Sequence, residues 1–311
     1  MLKHSHLIDI TEYSPEEIYE ILDTAKSFSE VNSRSIKKLP TLRGRTVINL
    51  FLEPSTRTRT SFEIAGKRLS ADVINFSASS SSTKKGESLA DTAETLAAMN
   101  CDICIVRSKM EGAPWLLTRH MNSHIINGGD GCHQHPTQAL LDAYTIREQF
   151  GGFEGLKVGI VGDVAHSRVA GSLVPLLKML GAEPVVIGPA TLMPSCPDLL
   201  GANHSYLLDD VLPDLDVVYM LRIQMERLEG QPLPSLREYS MLYGIDMKRL
   251  GMMKPDAIIM HPGPINRGVE LSAEAADSPR AKILDQVNAG VAVRMAAMYL
   301  LLGGESDGIT A

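Results

Sequence analysis

The densest run of hydroxyl and guanidinium side chains in the chain is Ser55-Thr56-Arg57-Thr58-Arg59-Thr60-Ser61, directly after Glu53-Pro54. Hydroxyls at Ser55, Thr56 and Thr58 are neutral donors, and Arg57 adds a charged fork whose geometry suits phosphate. The apolar run Val47 to Leu52 ahead of it predicts a buried parallel strand, and Phe62 to Leu69 after it has helical spacing. A strand passing through Pro and Ser into a helix gathers unpaired N–H groups and the positive end of the helix dipole at one spot. Such a spot binds anions, and the density of donors favours a phosphate site over an ordinary Ser-capped helix start.

Further candidates recur where strands are expected to end. Arg107 closes the strand-like run Asp102 to Val106, on the edge where α/β sheets bind ligands. The short strand Ile125-Ile126 runs through the tight turn Asn127 to Gly131 into His135-Pro136-Thr137-Gln138. Pro136 suits the first turn of a helix, and His135 and Gln138, three apart, can aim at one place. In the second half, Arg168 opens a helix after the strand and glycine turn Lys157 to Asp163. Strand Val217 to Met220 leads to Arg222 and Gln224, and strand Ala257 to Met260 to His261-Pro262-Gly263-Pro264. Gly159-x-x-Gly162 falls short of a dinucleotide fingerprint, which argues against a nucleotide-dependent oxidoreductase.

The elements that must position these residues follow from the same patterns. Ser14, Pro15 and Glu17 spell a capping box, followed by an apolar face at Ile18, Ile21, Leu22, Ala25 and Phe28. Val73 to Phe76 reads as a second strand, and Gly86 to Met99 as an amphipathic helix. Gly151 to Gly155 is the best boundary; beyond it, strands including Glu183 to Ile187 alternate with helical segments, as in a second parallel α/β domain. Residues Glu229 to Leu250, rich in Gly, Pro, Ser and Tyr, have the composition of a mobile lid. Ser278-Pro279 predicts the start of a final long helix that stops at Gly303-Gly304. Ser77 to Ser82 and Thr83-Lys84-Lys85-Gly86 read as a polar loop.

Composition narrows the classes. The chain has 311 residues, 44% hydrophobic and 22% charged, enough for two ordinary domains of a globular enzyme. A net charge of −7 argues against nucleic acid, and makes the arginines inside motifs the local exceptions. No apolar run approaches the ~20 residues of a membrane span, and no basic-then-apolar signal opens the chain. The four cysteines form no disulfide framework, and Cys101-x-x-Cys104 sits in a strand-like run, which favours buried thiols over a redox or zinc pair. A reducing cytoplasm is the expected setting, with no cofactor or metal.

Taken together, Ser55-Thr56-Arg57-Thr58-Arg59, Lys84-Lys85-Gly86-Glu87, His135-Pro-Thr-Gln138, Arg222-Ile-Gln224 and His261-Pro-Gly-Pro264 stand in the order found in the transcarbamoylases. The chain resembles that family over essentially its whole length. The resemblance implies two parallel-sheet, three-layer α/β domains joined by two interdomain helices, with residues 1–150 plus 285–311 binding carbamoyl phosphate and 151–284 binding the amino acid. It implies Ser55, Thr56, Arg57 and Lys85 on the phosphate, and Thr58, Arg107 and His135 polarising the carbonyl. Ser81 is implied at the carbamoyl-phosphate site, with Gln138 and the Gly263–Pro264 backbone on the carbamoyl NH2. Lys85, Arg168, Arg222 and Gln224 would hold a dicarboxylate. Ornithine-using members typically carry His-Cys-Leu-Pro where this chain has His261-Pro262-Gly263-Pro264, so L-aspartate is the expected acceptor. Glu53 is expected to pair with Arg168 and Arg227. Ser81 and Lys85 are expected to reach a neighbouring subunit's site, implying a homotrimer, and regulatory chains or a dihydroorotase could join it. The competing readings are a silent homologue serving only assembly, or ornithine as substrate.

Overall fold

A computed structural model describes residues 2–77, 87–223 and 235–304. Ser81, Lys85, Gln224 and Arg227 lie outside the described residues, as does Glu229 to Pro234 of the expected lid. The chain divides into two units, Met1–Tyr144 with Asn288–Ala311, and Thr145–Val287.

The first unit holds a four-stranded parallel sheet of β1 (Thr46–Phe51), β2 (Asp72–Ser77), β3 (Ile103–Ser108) and β4 (His124–Asp130), in the order β2-β1-β3-β4. Residues of β1 and β3 are buried on both sides, as parallel strands covered by helices must be. One face carries Ile48, Leu50, Cys104, Val106 and Ile125 against Ala93, Leu96 and Leu117 of α3 (Leu89–Ala98) and α4 (Ala113–His120). Val47, Ile103, Ile105 and Ile126 are equally buried on the opposite face. The expected capping box opens α1 (Pro15–Ser33): Ser14 accepts from the Glu17 amide, and Glu17 Oε2 from the Ser14 amide at 3.1 Å. Helix α2 (Thr56–Arg68) starts six residues earlier than the apolar spacing suggests, because the Thr/Arg run itself forms its first turns. Cys101 and Cys104 are buried free thiols, and burial pushes both thiol pKa values up.

The second unit is a five-stranded parallel sheet: β5 (Lys157–Val161), β6 (Glu183–Ile187), β7 (Asn203–Ser205), β8 (Val217–Met220) and β9 (Ile258–Met260), in the order β7-β6-β5-β8-β9. The chain passes from the first unit to the second within α5 (Pro136–Phe150) and back within α11 (Ile283–Leu301). Helix α6 (Arg168–Met179) follows β5, and the short α7 (Leu208–Val211) precedes β8. Helix α11 begins later than Ser278-Pro279, since that pair closes a turn and Ala281 N donates to Ser278 O at 3.0 Å.

Residues 235–250 of the expected lid are largely helical. They form α8 (Leu236–Tyr243) and α9 (Met247–Met252), with Tyr239 and Tyr243 stacked at 5.4 Å in the core. Arg249, only 9% exposed, donates to the carbonyls of Met241, Leu242 and Gly244 at 3.0, 2.9 and 2.7 Å and to Asp209 at 2.6 Å. Composition suggested a lid because Gly244 and the polar residues mark a sharp corner; Arg249 satisfies the carbonyls left at the end of α8 and fixes that corner. The short α10 (Ala273–Ala276) completes the unit.

Candidate active site

In the first unit the candidate residues gather at the carboxyl edge of the sheet. Register pairs Phe51 with Arg107, and Val106 with Asn127, so the chain leaves β1, β3 and β4 side by side. Ser55 stands at the N-cap of α2 in extended conformation, and its hydroxyl makes no capping bond there. In the first turn that follows, Thr56 and Arg57 are exposed, while Thr58 is buried. Arg107 carries the fixed charge of the edge. Its Nε donates to Glu53 Oε1 at 2.7 Å, and its Nη1 to Gly128 O at 3.2 Å and towards Thr58 Oγ1 at 3.5 Å. Both side chains of the ion pair are largely shielded, 15% exposed for Arg107 and 5% for Glu53, so the guanidinium is held in one direction rather than solvated. Glu53 thus holds Arg107; of its expected partners, Arg227 lies outside the described residues.

His135 and Gln138 come from the next turn. Asp130, fully buried, accepts from Asn127 Nδ2 at 2.8 Å, Gly112 N at 2.9 Å and Gln134 N at 3.2 Å. Asn127 in turn accepts from Gly129 N at 2.8 Å. This polar knot locks the loop between β4 and α5, so that buried His135 immediately precedes Pro136 and its carbonyl receives the Gln138 amide at 2.9 Å. A Cβ at Gly128 would press on Val106 O at 3.2 Å, which explains the glycine beside Arg107. Asn127 and Asp130 were visible in sequence only as turn formers; their role in seating His135 shows no sequence signal beyond the Asn-Gly-Gly-Asp run.

In the second unit, Arg168 opens α6 behind the N-cap Ser167, whose hydroxyl accepts from Ala170 N at 3.1 Å, and its side chain is 4% exposed. Arg222 follows β8, and His261 to Pro264 follow β9. Pairing of Val161 with Met220 and of Tyr219 with Met260 brings these three exits to one edge. Gly263 has φ +65°, a left-handed conformation that glycine alone adopts readily, and its amide donates to His261 Nδ1 at 2.8 Å.

Glu270, unmarked in sequence, ties two of these exits together. Fully buried, it accepts from Ile223 N at 2.9 Å, Asn266 N at 2.7 Å and Asn266 Nδ2 at 2.8 Å, with His261 Nε2 at 3.8 Å. Burial alone would raise its carboxyl pKa; His261 and the Ile223 and Asn266 donors outweigh burial and hold it below the ordinary glutamate value.

The arrangement offers two sets of anion-binding groups, one at each sheet's carboxyl edge. Among the described residues no cluster of His, Cys, Asp and Glu fits a metal ion. None of the described helices is long and apolar enough to cross a membrane.

Comparison with known proteins places these sets in context. Residues 5–148 match the family "Aspartate/ornithine carbamoyltransferase, carbamoyl-P binding domain", and residues 154–301 match "Aspartate/ornithine carbamoyltransferase, Asp/Orn binding domain". The chain is 57% identical over 302 residues to the aspartate carbamoyltransferase catalytic subunit of Syntrophotalea carbinolica, covering 97% of this chain and 96% of that one. The corresponding subunit of Thermobifida fusca is 57% identical over 299 residues, with 96% of each covered. Among solved structures, aspartate transcarbamoylase from Trypanosoma cruzi in complex with carbamoyl phosphate and aspartate superposes with a TM-score of 0.86 at 31% identity, covering 94% of this chain and 95% of that one. The catalytic subunit from M. jannaschii gives 0.83 at 37% identity over 99% of this chain and all of that one. On matches that span both units, this chain belongs to the aspartate/ornithine carbamoyltransferase family.

Proposed function

We propose that this chain is an enzyme that transfers the carbamoyl group of carbamoyl phosphate to the amino group of L-aspartate, releasing N-carbamoyl-L-aspartate and phosphate. The observation that carries the reading is Arg107, anchored by Glu53 and Gly128 beside Thr58 in the first turn of α2. Relatives at 57% identity that bear the aspartate carbamoyltransferase name, and the Trypanosoma cruzi enzyme that binds both substrates, support it.

In this mechanism the phosphate lies on Ser55, Thr56, Arg57 and Lys85, and Ser81 adds to the same site. Thr58, Arg107 and His135 donate to the carbonyl oxygen, where negative charge develops as the amine attacks. Gln138 and the Gly263–Pro264 backbone orient the carbamoyl NH2. Lys85, Arg168, Arg222 and Gln224 hold the two carboxylates of aspartate. The C–N bond forms as the C–O bond to phosphate breaks, and the departing phosphate takes the proton from the amine, so no separate side-chain base is required. The first unit serves carbamoyl phosphate and the second aspartate. The reaction belongs to pyrimidine biosynthesis, and the expected compartment is the cytoplasm.

The purified chain, given carbamoyl phosphate with L-aspartate or L-ornithine, is expected to form product from aspartate alone. Turnover of ornithine would move it to the other branch of the family; turnover of neither would favour a silent subunit.

The reading includes a homotrimer in which Ser81 and Lys85 complete a neighbour's site. Mixing the inactive variants Arg57→Ala and Lys85→Ala, then unfolding and refolding them together, is expected to restore part of the activity. No recovery would mean that each subunit carries a whole site.

A further inference from the structure

Gln138 can serve a carbamoyl NH2 only if it presents its amide oxygen, since an NH2 group is a donor and needs an acceptor. A glutamine side chain offers either end with equal ease unless something fixes it. Here Gln138 Nε2 donates to Asp142 Oδ1 at 3.0 Å. The two residues are four apart on α5, so they share one face of the helix. Asp142 is fully buried and Gln138 is 8% exposed. A carboxylate only accepts, so it admits the NH2 end of the amide and repels the oxygen end. The planar amide then carries Oε1 on the side away from Asp142.

A buried carboxylate needs a compensating charge, and α11 supplies it. Arg294, 4% exposed, donates through Nη1 to Ser61 Oγ at 2.8 Å and to Gly290 O at 3.1 Å, with its guanidinium 5.0 Å from the Phe62 ring centroid. Burial lowers its pKa to about 10, with the Asp142 carboxylate working against that fall and Arg107 adding to it, so the guanidinium stays charged near neutral pH. Gly290 makes room: a Cβ there would run into Arg294 Nη1 and, at 3.2 Å, into Leu141. The same guanidinium reaches α2, the helix that begins at the anion loop, through Ser61.

We propose that Asp142 is a positioning residue that fixes the polarity of the Gln138 amide, with Arg294 as its counter-charge, so that the site selects an acyl phosphate bearing an NH2 group over isosteres without one. The proposal rests on the carbamoyl-transfer reading and adds a specificity determinant to it. A purely structural Asp142 would damage all ligands alike; a polarity-setting one damages only the ligand whose NH2 Gln138 receives.

The test compares dissociation constants for carbamoyl phosphate, for acetyl phosphate (methyl in place of NH2) and for inorganic phosphate. In Asp142→Asn the side chain keeps its shape but can donate as well as accept, so the amide can turn. Asp142→Leu would strand the Arg294 cation, so it is made together with Arg294→Met, which removes both buried charges. Both variants are expected to bind carbamoyl phosphate about tenfold more weakly, the scale of one neutral hydrogen bond. Acetyl phosphate and phosphate should change by less than about twofold. Gln138→Leu should show the same selective loss, and adding Asp142→Asn to it should cost nothing further, because the two residues act through one contact. Equal losses for all three ligands, no loss at all, or additive losses in the double variant would overturn the proposal. A wild-type chain that binds acetyl phosphate as tightly as carbamoyl phosphate would instead sink the carbamoyl reading itself.

Discussion

Arg107→Met is expected to lower kcat for carbamoyl transfer by about 10²–10³, the usual cost of removing one fixed donor to a developing oxyanion. The cause lies in how the guanidinium is held. Glu53 Oε1 at 2.7 Å and Gly128 O at 3.2 Å fix its plane from two sides, and the contact towards Thr58 aligns it with the helix start that would receive the phosphate. A donor held this way needs no reorganisation as charge builds up on the carbonyl oxygen, which is why its loss should fall mainly on kcat rather than on substrate affinity. Methionine also leaves the Glu53 carboxylate, 5% exposed, without the ion pair shown here, and breaking a shielded pair by removing one partner costs stability. The two effects separate in Glu53→Gln/Arg107→Met, which discards both charges. That double variant is expected to regain stability in urea unfolding while remaining as slow as Arg107→Met. Activity within about fivefold of wild type in either variant would remove Arg107 from the reacting atoms, since a loss that small lies below the range for one such donor.

What the sequence disclosed and what it hid follow a common physical line. Residues whose chemistry faces a ligand stood out as type and spacing: the Ser55 to Arg59 run, Arg107 at a strand end, His135 and Gln138 around a helix-starting Pro. The two parallel sheets were legible because buried strands such as Ile103 to Ser108 leave unbroken apolar runs. Boundaries were less so. Helix α2 begins at Thr56 rather than Phe62, since apolar spacing is silent where a helix turn faces solvent and ligand instead of core. Hidden altogether were the buried polar residues that hold ligand-facing ones in place. Asp130 and Glu270 are single carboxylates whose partners lie on other elements or in turns, and Asp142 is one acid on a helix face whose Gln138 partner four residues earlier carries no signal by itself, so sequence does not mark them. Also unmarked was Arg249, which ties a polar, glycine-containing stretch into a helical corner through contacts that composition does not record.

The hidden carboxylate with the largest expected effect is Glu270. In Glu270→Leu the amides of Ile223 and Asn266 and the Asn266 side chain lose a buried acceptor, at roughly 1–3 kcal/mol for each donor left unsatisfied. A loss of about 3–5 kcal/mol in unfolding free energy is therefore expected near neutral pH, large against the total stability of an ordinary domain. Function should suffer selectively even where the variant stays folded. Ile223 adjoins Arg222, so slackening that backbone is expected to raise the KM for aspartate at least about tenfold, as loss of one charge-assisted contact would. Affinity for inorganic phosphate, whose ligands are assigned to the first unit, should change by less than about threefold. The pH dependence gives a second handle. The folded-state pKa of Glu270 is depressed below the ordinary glutamate value, so its contribution is complete above that value, near 4.3, and is lost as pH falls through the folded pKa. The stability gap between wild type and Glu270→Leu should accordingly be widest above about pH 5 and narrow as urea titrations are taken to about pH 3. A gap that stays constant across that range would show that the carboxylate charge contributes nothing, and that Glu270 acts through its shape alone.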